Sequence, residues 1–324
     1  MTYPLLLYIE RRSNKRYNLE DSKLLSDVTT LYQKVGDNMT QETASQSLVS
    51  TLQGFNIQAS QAESIIDKFN EVSNNFAIGS DGIGEALQRS AASFNASHTS
   101  LSKSIALITG TNTTLQDPQK VGNMWKTVSA RLRGSDTELK EMGEDTDNLV
   151  TSTSKLQAEV KALTGGFDIM QDKNTYKDIY DIVVGIGEKW ADMNDISRAA
   201  LLEKLAGKNQ SNALAAALNN VQVIKDAYAT AENSDGSAER ELDNYRKGIE
   251  YSITRLKASF QEFSTTTLNS NIFKAFVDGG NAALNVITAI IDKLGGLQTV
   301  IGGIATFFMQ KNGSGKQTIC FILS

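Results

Sequence analysis

The chain has 324 residues, with 32 basic and 37 acidic side chains, a net charge of −5 and no basic run longer than the cluster at Arg11, Arg12, Lys15 and Arg16, which excludes a stable nucleic-acid partner. One cysteine, Cys320, excludes an intrachain disulfide and a cysteine metal cluster, and one histidine, His98, excludes a multi-histidine metal site. Only Pro4 and Pro118 interrupt the chain, where ordinary usage of roughly 5% predicts about sixteen prolines, so the composition predicts an all-α, elongated multi-helix protein with coiled-coil-like amphipathic helices.

The apolar run at residues 5–9 has no preceding positive charge and passes directly into Glu10-Arg11-Arg12, which is not the pattern of a secretory signal. Residues 19–78 carry several short helical patterns, with Ser60 and Glu63 spaced as a capping box ahead of Ile65, Ile66, Phe69 and Val72. Residues 80–110 are rich in Ser and Ala, and Gly82 and Gly84 there predict close helix packing. Asp117 is a good N-cap, Pro118 fits the first helical position and Gly134 supplies a left-handed stop. Between them Val121, Trp125, Val128 and Leu132 form one apolar face, and Arg131 and Arg133 favour the negative pole of the helix. Those two arginines read equally as surface residues capping carbonyls or as contacts to another subunit.

Ser135 and Glu138 repeat the capping-box spacing, and the stripe Leu156, Val160, Leu163 stops at Gly165-Gly166. Asn174 or Thr175 is placed to cap a helix carrying Tyr176, Ile179, Tyr180, Val183, Ile186 and Trp190; Asp195 begins another that reaches Leu205 and stops at Gly207. Leu214, Leu218, Val221, Ile224 and Tyr228 share a face. After a turn at residues 233–237, the series Leu242, Tyr245, Ile249, Ile253, Leu256, Phe260 and Phe263 keeps three-and-four spacing, the signature of helix pairing. Residues 271–309 are the most apolar, with Phe273, Phe276, Ile287, Ile290, Ile301, Phe307 and Phe308 as candidate membrane contacts. Asp292-Lys293 and Gly295-Gly296 divide them into halves shorter than the roughly 20 apolar residues of a helical span, so they either pack against protein or enter a membrane in some state. The regions expected are an N-terminal helical region at 1–84, a core helical region at 85–270, an apolar hairpin-like segment at 271–310 and a disordered or truncated tail at 311–324.

Motifs of chemistry fail on inspection. In Gly313-Ser314-Gly315-Lys316 the lysine is followed by Gln317, where a P-loop needs Ser or Thr, and Gln310 stands in place of the first glycine. The pairs Gly82, Gly84 and Gly185, Gly187 lack the third glycine of a dinucleotide fingerprint and read as helix-packing glycines. Asp145, Asp147 and Asn148 hint at calcium but lack the twelve-residue loop with its terminal Glu, so they read as a cap or turn. His98, in a polar stretch, reads as a solvated surface side chain. No catalytic, metal or cofactor residue is assigned.

Three stretches in order carry a resemblance. They are Ile105-Ala106-Leu107-Ile108 followed by the helix with Asp117, Pro118, Gly122 and Arg131-Leu132-Arg133-Gly134; then Leu205-Ala206-Gly207-Lys208 with Gln210 and Asn212; then Gly236-Ser237-Ala238 with Glu241. Together they resemble the core of phage tail tape-measure proteins, from about residue 85 to about residue 295. Asn209 departs from the basic residue often found there, and the shortness of the chain beside the usual family length reads as a fragment. The resemblance implies a non-enzymatic scaffold without cofactor that sets tail length and leaves the tail as DNA is ejected. It also implies self-association, with tail-tube protein, tail assembly chaperones and distal tail or baseplate proteins as partners, and a place in the tube lumen of the virion after assembly in the host cytoplasm. A host membrane is a further partner through residues 271–309. The competing reading is a helical pore-forming secreted protein using that same segment; a cell-wall-cleaving enzyme would need a catalytic module that the sequence does not display.

Overall fold

The computed structural model describes residues 17–36, 39–248 and 252. Among them there is no strand, only one isolated antiparallel bridge between Met170 and Tyr176, and the class is all-α. Asp243 closes the first of two units, and the helices below belong to it except for residues 244–248 of the last helical stretch.

Short polar residues start most helices, as their chemistry dictates. Asn18 accepts from the Asp21 amide to open α1 (Leu19–Val35), and Thr40 accepts from Thr43 to open α2 (Gln41–Phe55). After α3 (Ala62–Asn75) and α4 (Ser80–Ala96), Ser100 caps α5 (Leu101–Leu115) and Asp117 caps α6 (Pro118–Leu132). A short α7 (Asp136–Glu141) follows, then α8 (Thr153–Leu163), α9 (Ile179–Trp190), α10 (Asp195–Asn219) and α11 (Val221–Glu232). Residues 237–248 are again helical.

The core is organised around α5, whose residues 104–112 are buried on every face and carry no charge. Helices α4, α6, α9, α10 and α11 pack on it, and α4 also lies against α2 and α6. Small residues allow the approach: a Cβ on Gly122 of α6 would stand 2.6 Å from the Ala86 carbonyl of α4, and one on Gly84 would overlap Ser47 of α2. Gly84, Gly185 and Gly187 are therefore packing glycines, the last two meeting the Phe167 ring and Val221. Residue 84 lies inside α4, and the core continues across it.

Buried hydroxyls pair mainly within their own helices. Thr29 donates to Leu25 O, Thr51 to Ser47 O, Ser90 to Ala86 O, Ser104 to Ser100 O and Thr111 to Leu107 O, all four residues back. The core thus contains many polar residues whose hydrogen bonds make no demand on a neighbouring helix.

Three local expectations need correction. Ser60 does not cap α3, because residues 59–61 form a 3₁₀ turn and the helix starts one residue later at Ala62, with no side-chain cap. Ser135 does precede α7, but its hydroxyl makes no capping bond, and Glu138 instead pairs with Arg133 at 2.8 Å. Neither Asn174 nor Thr175 caps α9: the Asp172 carboxylate accepts both of their amides in a tight turn that closes the Met170–Tyr176 bridge, and Asp178 is the N-cap. The expected face from Leu214 to Tyr228 is interrupted at Asn220, between α10 and α11, yet Leu214, Leu218 and Ile224 are all buried.

Candidate functional site

The residues singled out in the sequence meet at a junction around Arg131. This arginine sits in the last turn of α6, where the apolar face built by Val121, Trp125 and Val128 turns it inward, and it is only 1% exposed. Its Nε donates to the Lys204 carbonyl at 3.0 Å, one terminal nitrogen to the Asp145 carbonyl at 2.7 Å and the other to the Asp147 carbonyl at 3.0 Å. One planar fork therefore ties α6, the loop after α7 and α10 together. Burial lowers its pKa, against the pull of the nearby Asp145, Glu144 and Glu203 carboxylates that favour the cation. Arg131 is thus neither a surface residue nor a contact to another subunit; it does bind carbonyls, but those of distant segments.

Arg133 matches the surface carbonyl-capping reading, with its Nε on the Ser129 carbonyl at 3.2 Å. Leu132 is buried, and Gly134, at φ +65°, stops α6 where an added Cβ would stand 2.9 Å from the Thr151 Cα.

The partner segment is shaped to receive the guanidinium. Gly207 breaks α10 with φ 70° and ψ 176°, a conformation open in practice only to glycine, and a Cβ there would lie 3.0 Å from an Arg131 nitrogen. Leu205 and Ala206 are buried beside it. Lys208 forms an ion pair with Asp147 at 2.9 Å, which raises the lysine pKa and lowers that of the aspartate through their hydrogen bond. Gln210 donates to Glu144 at 2.6 Å, and Asn209 reaches the other oxygen of that carboxylate at 3.2 Å. A basic side chain at position 209 would face the same anion.

Several members of the junction escaped the sequence reading. Glu144 also accepts from Thr127, Asn148 donates to Glu203, and Lys204 pairs with Glu159 at 2.7 Å. Asp145, Asp147 and Asn148 form a turn, with the Asp147 amide on the Asp145 side chain and Asn148 at φ 55°, as the cap-or-turn reading held. Among the described residues no group of three or more His, Cys, Asp or Glu side chains has metal-binding geometry.

Other singled-out residues lie apart from Arg131. Asp117, Pro118 and Gly122 occupy the opposite end of α6, and Asn212 is exposed on α10. Gly236, Ser237 and Ala238 build a second junction: the Asp67 carboxylate of α3 accepts from the Gly236 amide at 3.0 Å and the Ala238 amide at 2.9 Å, and Asn70 donates to Ser237 at 2.9 Å. Asp67, 6% exposed, thereby caps the helical stretch at 237–248 from 169 residues away. Glu241 is half-buried and Leu242 buried on that stretch, while Tyr245 is 56% exposed. Ile249, Ile253, Leu256, Phe260, Phe263 and the candidate membrane contacts lie outside the described residues. No described helix is long and apolar enough to cross a membrane.

Two ties of opposite charge, each binding only backbone across the fold, define a structural helical assembly. The chain belongs to the family of phage-related minor tail proteins, which it matches over residues 22–207, more than half its length and from within α1 to the glycine beneath Arg131. It is accordingly a structural component of a phage tail. No solved structure matches it.

Proposed function

We propose that the chain is a tape measure, a non-enzymatic scaffold around which the tail tube assembles, whose length sets the tail and which is released as DNA is ejected. The observation that carries this reading is the local pairing of buried hydroxyls. A ruler has to open: in the folded unit Asp67 touches Gly236, whereas as continuous helix their separation of 169 positions would advance roughly 250 Å. Separating these helices leaves Thr29, Thr51, Ser90, Ser104 and Thr111 bonded to their own backbones, so opening sacrifices apolar contact and a few polar ties rather than a core-wide network.

Family resemblance adds the tail-tube protein, assembly chaperones and distal tail or baseplate proteins as partners, with sister copies paired along Leu242, Tyr245 and the apolar positions that follow. The test is tail length by electron microscopy in the parent phage after in-frame removal of three heptads between Leu242 and Phe263. Tails shorter by about 30 Å, from ~21 residues at ~1.5 Å each, support an extended ruler; tails of unchanged length refute it for this segment.

A further inference from the structure

The turn between α4 and α5, the end of α6 and the loop entering α9 enclose a cleft of about 280 Å³. Leu132 and Ile179 contribute apolar side chains to its lining, and His98, Arg133, Tyr176 and Lys177 line it as well. No carboxylate lines the cleft, and although Arg133 is paired with Glu138 at 2.8 Å, Lys177 has no carboxylate partner among the described residues.

The demands inside the protein leave donors over. Arg133 uses Nε on Ser129 O and one terminal nitrogen on Glu138, so the other terminal nitrogen remains. Lys177 gives one hydrogen bond to the Asp168 carbonyl at 2.8 Å, with its ammonium 4.7 Å from the Phe167 ring centre. The His98 imidazole and the Tyr176 hydroxyl make no hydrogen bond among the described residues. His98 also holds a backbone conformation that favours glycine, φ +56°, in a turn closed by Thr99 N on Phe94 O at 3.0 Å. The turn therefore keeps a large polar side chain at the rim where a glycine would fit with less strain.

We propose that this cleft binds an acidic peptide segment, receiving one or two of its carboxylates between Arg133, Lys177, His98 and Tyr176. The volume lies at the lower end of ligand sites, roughly 300 Å³, and so suits a few side chains of an extended segment rather than the face of a folded domain. The peptide class follows from the combination of free donors with apolar lining side chains, since a carboxylate side chain offers both an anionic end and a methylene stem.

The test uses the full chain and a fluorescein-labelled hexaglutamate peptide, read by fluorescence anisotropy at about 150 mM salt, with hexaglutamine and hexalysine as controls. Hexaglutamate is expected to bind, and Lys177→Gln and Arg133→Gln each to weaken it by about tenfold, as loss of one charge-assisted contact predicts, while Lys23→Gln on α1 changes it by less than about twofold. As the chain has one histidine, the His98 imidazole carbon-bound protons give a single reporter by NMR in the unaltered protein, and they are expected to shift on peptide addition. An unmoved His98 signal at saturation overturns the proposal, as do equal binding of hexaglutamine and equal weakening by Lys23→Gln. A His98 shift driven by protein concentration alone, with no response to hexaglutamate, would assign the cleft to a second copy and also overturn it.

Discussion

The two long-range ties of this unit are mirror images in charge and differ in what they hold. Arg131 is a buried cation on three carbonyls, joining α6, the loop after α7 and α10. Asp67 is a buried anion on two amides, and it ties α3 to one turn at the start of residues 237–248, with Gly236 itself partly exposed. Removing either leaves backbone groups without partners, but Arg131 leaves three carbonyls in two separate segments, whereas Asp67 leaves two amides of a single turn. The first tie is therefore a condition of the fold, and the second a clasp on its edge.

The largest effect should come from breaking the first. Arg131→Met fills much of the same space while abandoning three inward carbonyls, which predicts a loss of about 3 kcal/mol, equivalent to roughly 10 °C in Tm for a unit of this size. Arg131→Lys keeps the charge, but a single ammonium has no planar fork to span three carbonyls, so it should recover only about half of that loss. Urea and thermal melts of the full chain followed by far-ultraviolet circular dichroism measure both. A melt of Arg131→Met unchanged from the parent would show that the three carbonyls are satisfied some other way.

Asp67→Ala should cost less, about 2 kcal/mol, and its effect should be confined. The amides of Gly236 and Ala238 lose their acceptor, so hydrogen exchange there should accelerate while the amides of α5, buried on every face, keep their protection. Exchange that accelerates equally throughout α5 would erase the distinction between clasp and core tie.

The sequence revealed the Arg131 junction in part because its pieces are locally unusual. Arg-Leu-Arg-Gly ends a proline-started helix, and Leu-Ala-Gly-Lys breaks another, so Gly134 and Gly207 were legible from the left-handed turns they permit. That Arg131 points inward was also implicit in the face shared by Val121, Trp125 and Val128, yet a charge near a helix end ordinarily suggests solvent, and only the folded carbonyls justify its burial. Asp67 was illegible for a different reason: it sits between Ile66 and Phe69 on α3, and its partners lie 169 and 171 residues away, where no spacing rule reaches. The same holds for helix starts. Caps formed by immediate neighbours, such as Asp117, were readable, whereas Asp172 drew Asn174 and Thr175 into a turn and passed the role to Asp178.

A local cap supplies the lower bound against which both ties can be judged. The Asp117 side chain accepts from the Lys120 amide at 3.1 Å, and its pKa is lowered first by that backbone hydrogen bond and then by the one from the Lys120 side chain. Asp117→Ala should therefore cost about 1 kcal/mol, the usual value for an N-cap, and less than either long-range tie. The sign of its pH dependence follows from the depressed folded pKa: the contribution is complete above the unfolded aspartate value, near ~3.9, and is lost as pH falls through the lower folded value. Parent and variant should accordingly differ in urea midpoint at neutral pH and converge in acid below about pH 4, with Arg131→Met showing no such convergence because a guanidinium stays charged throughout that range. A difference for Asp117→Ala that persists undiminished in acid would mean that the residue stabilises α6 by packing beside Pro118 rather than as a charged cap.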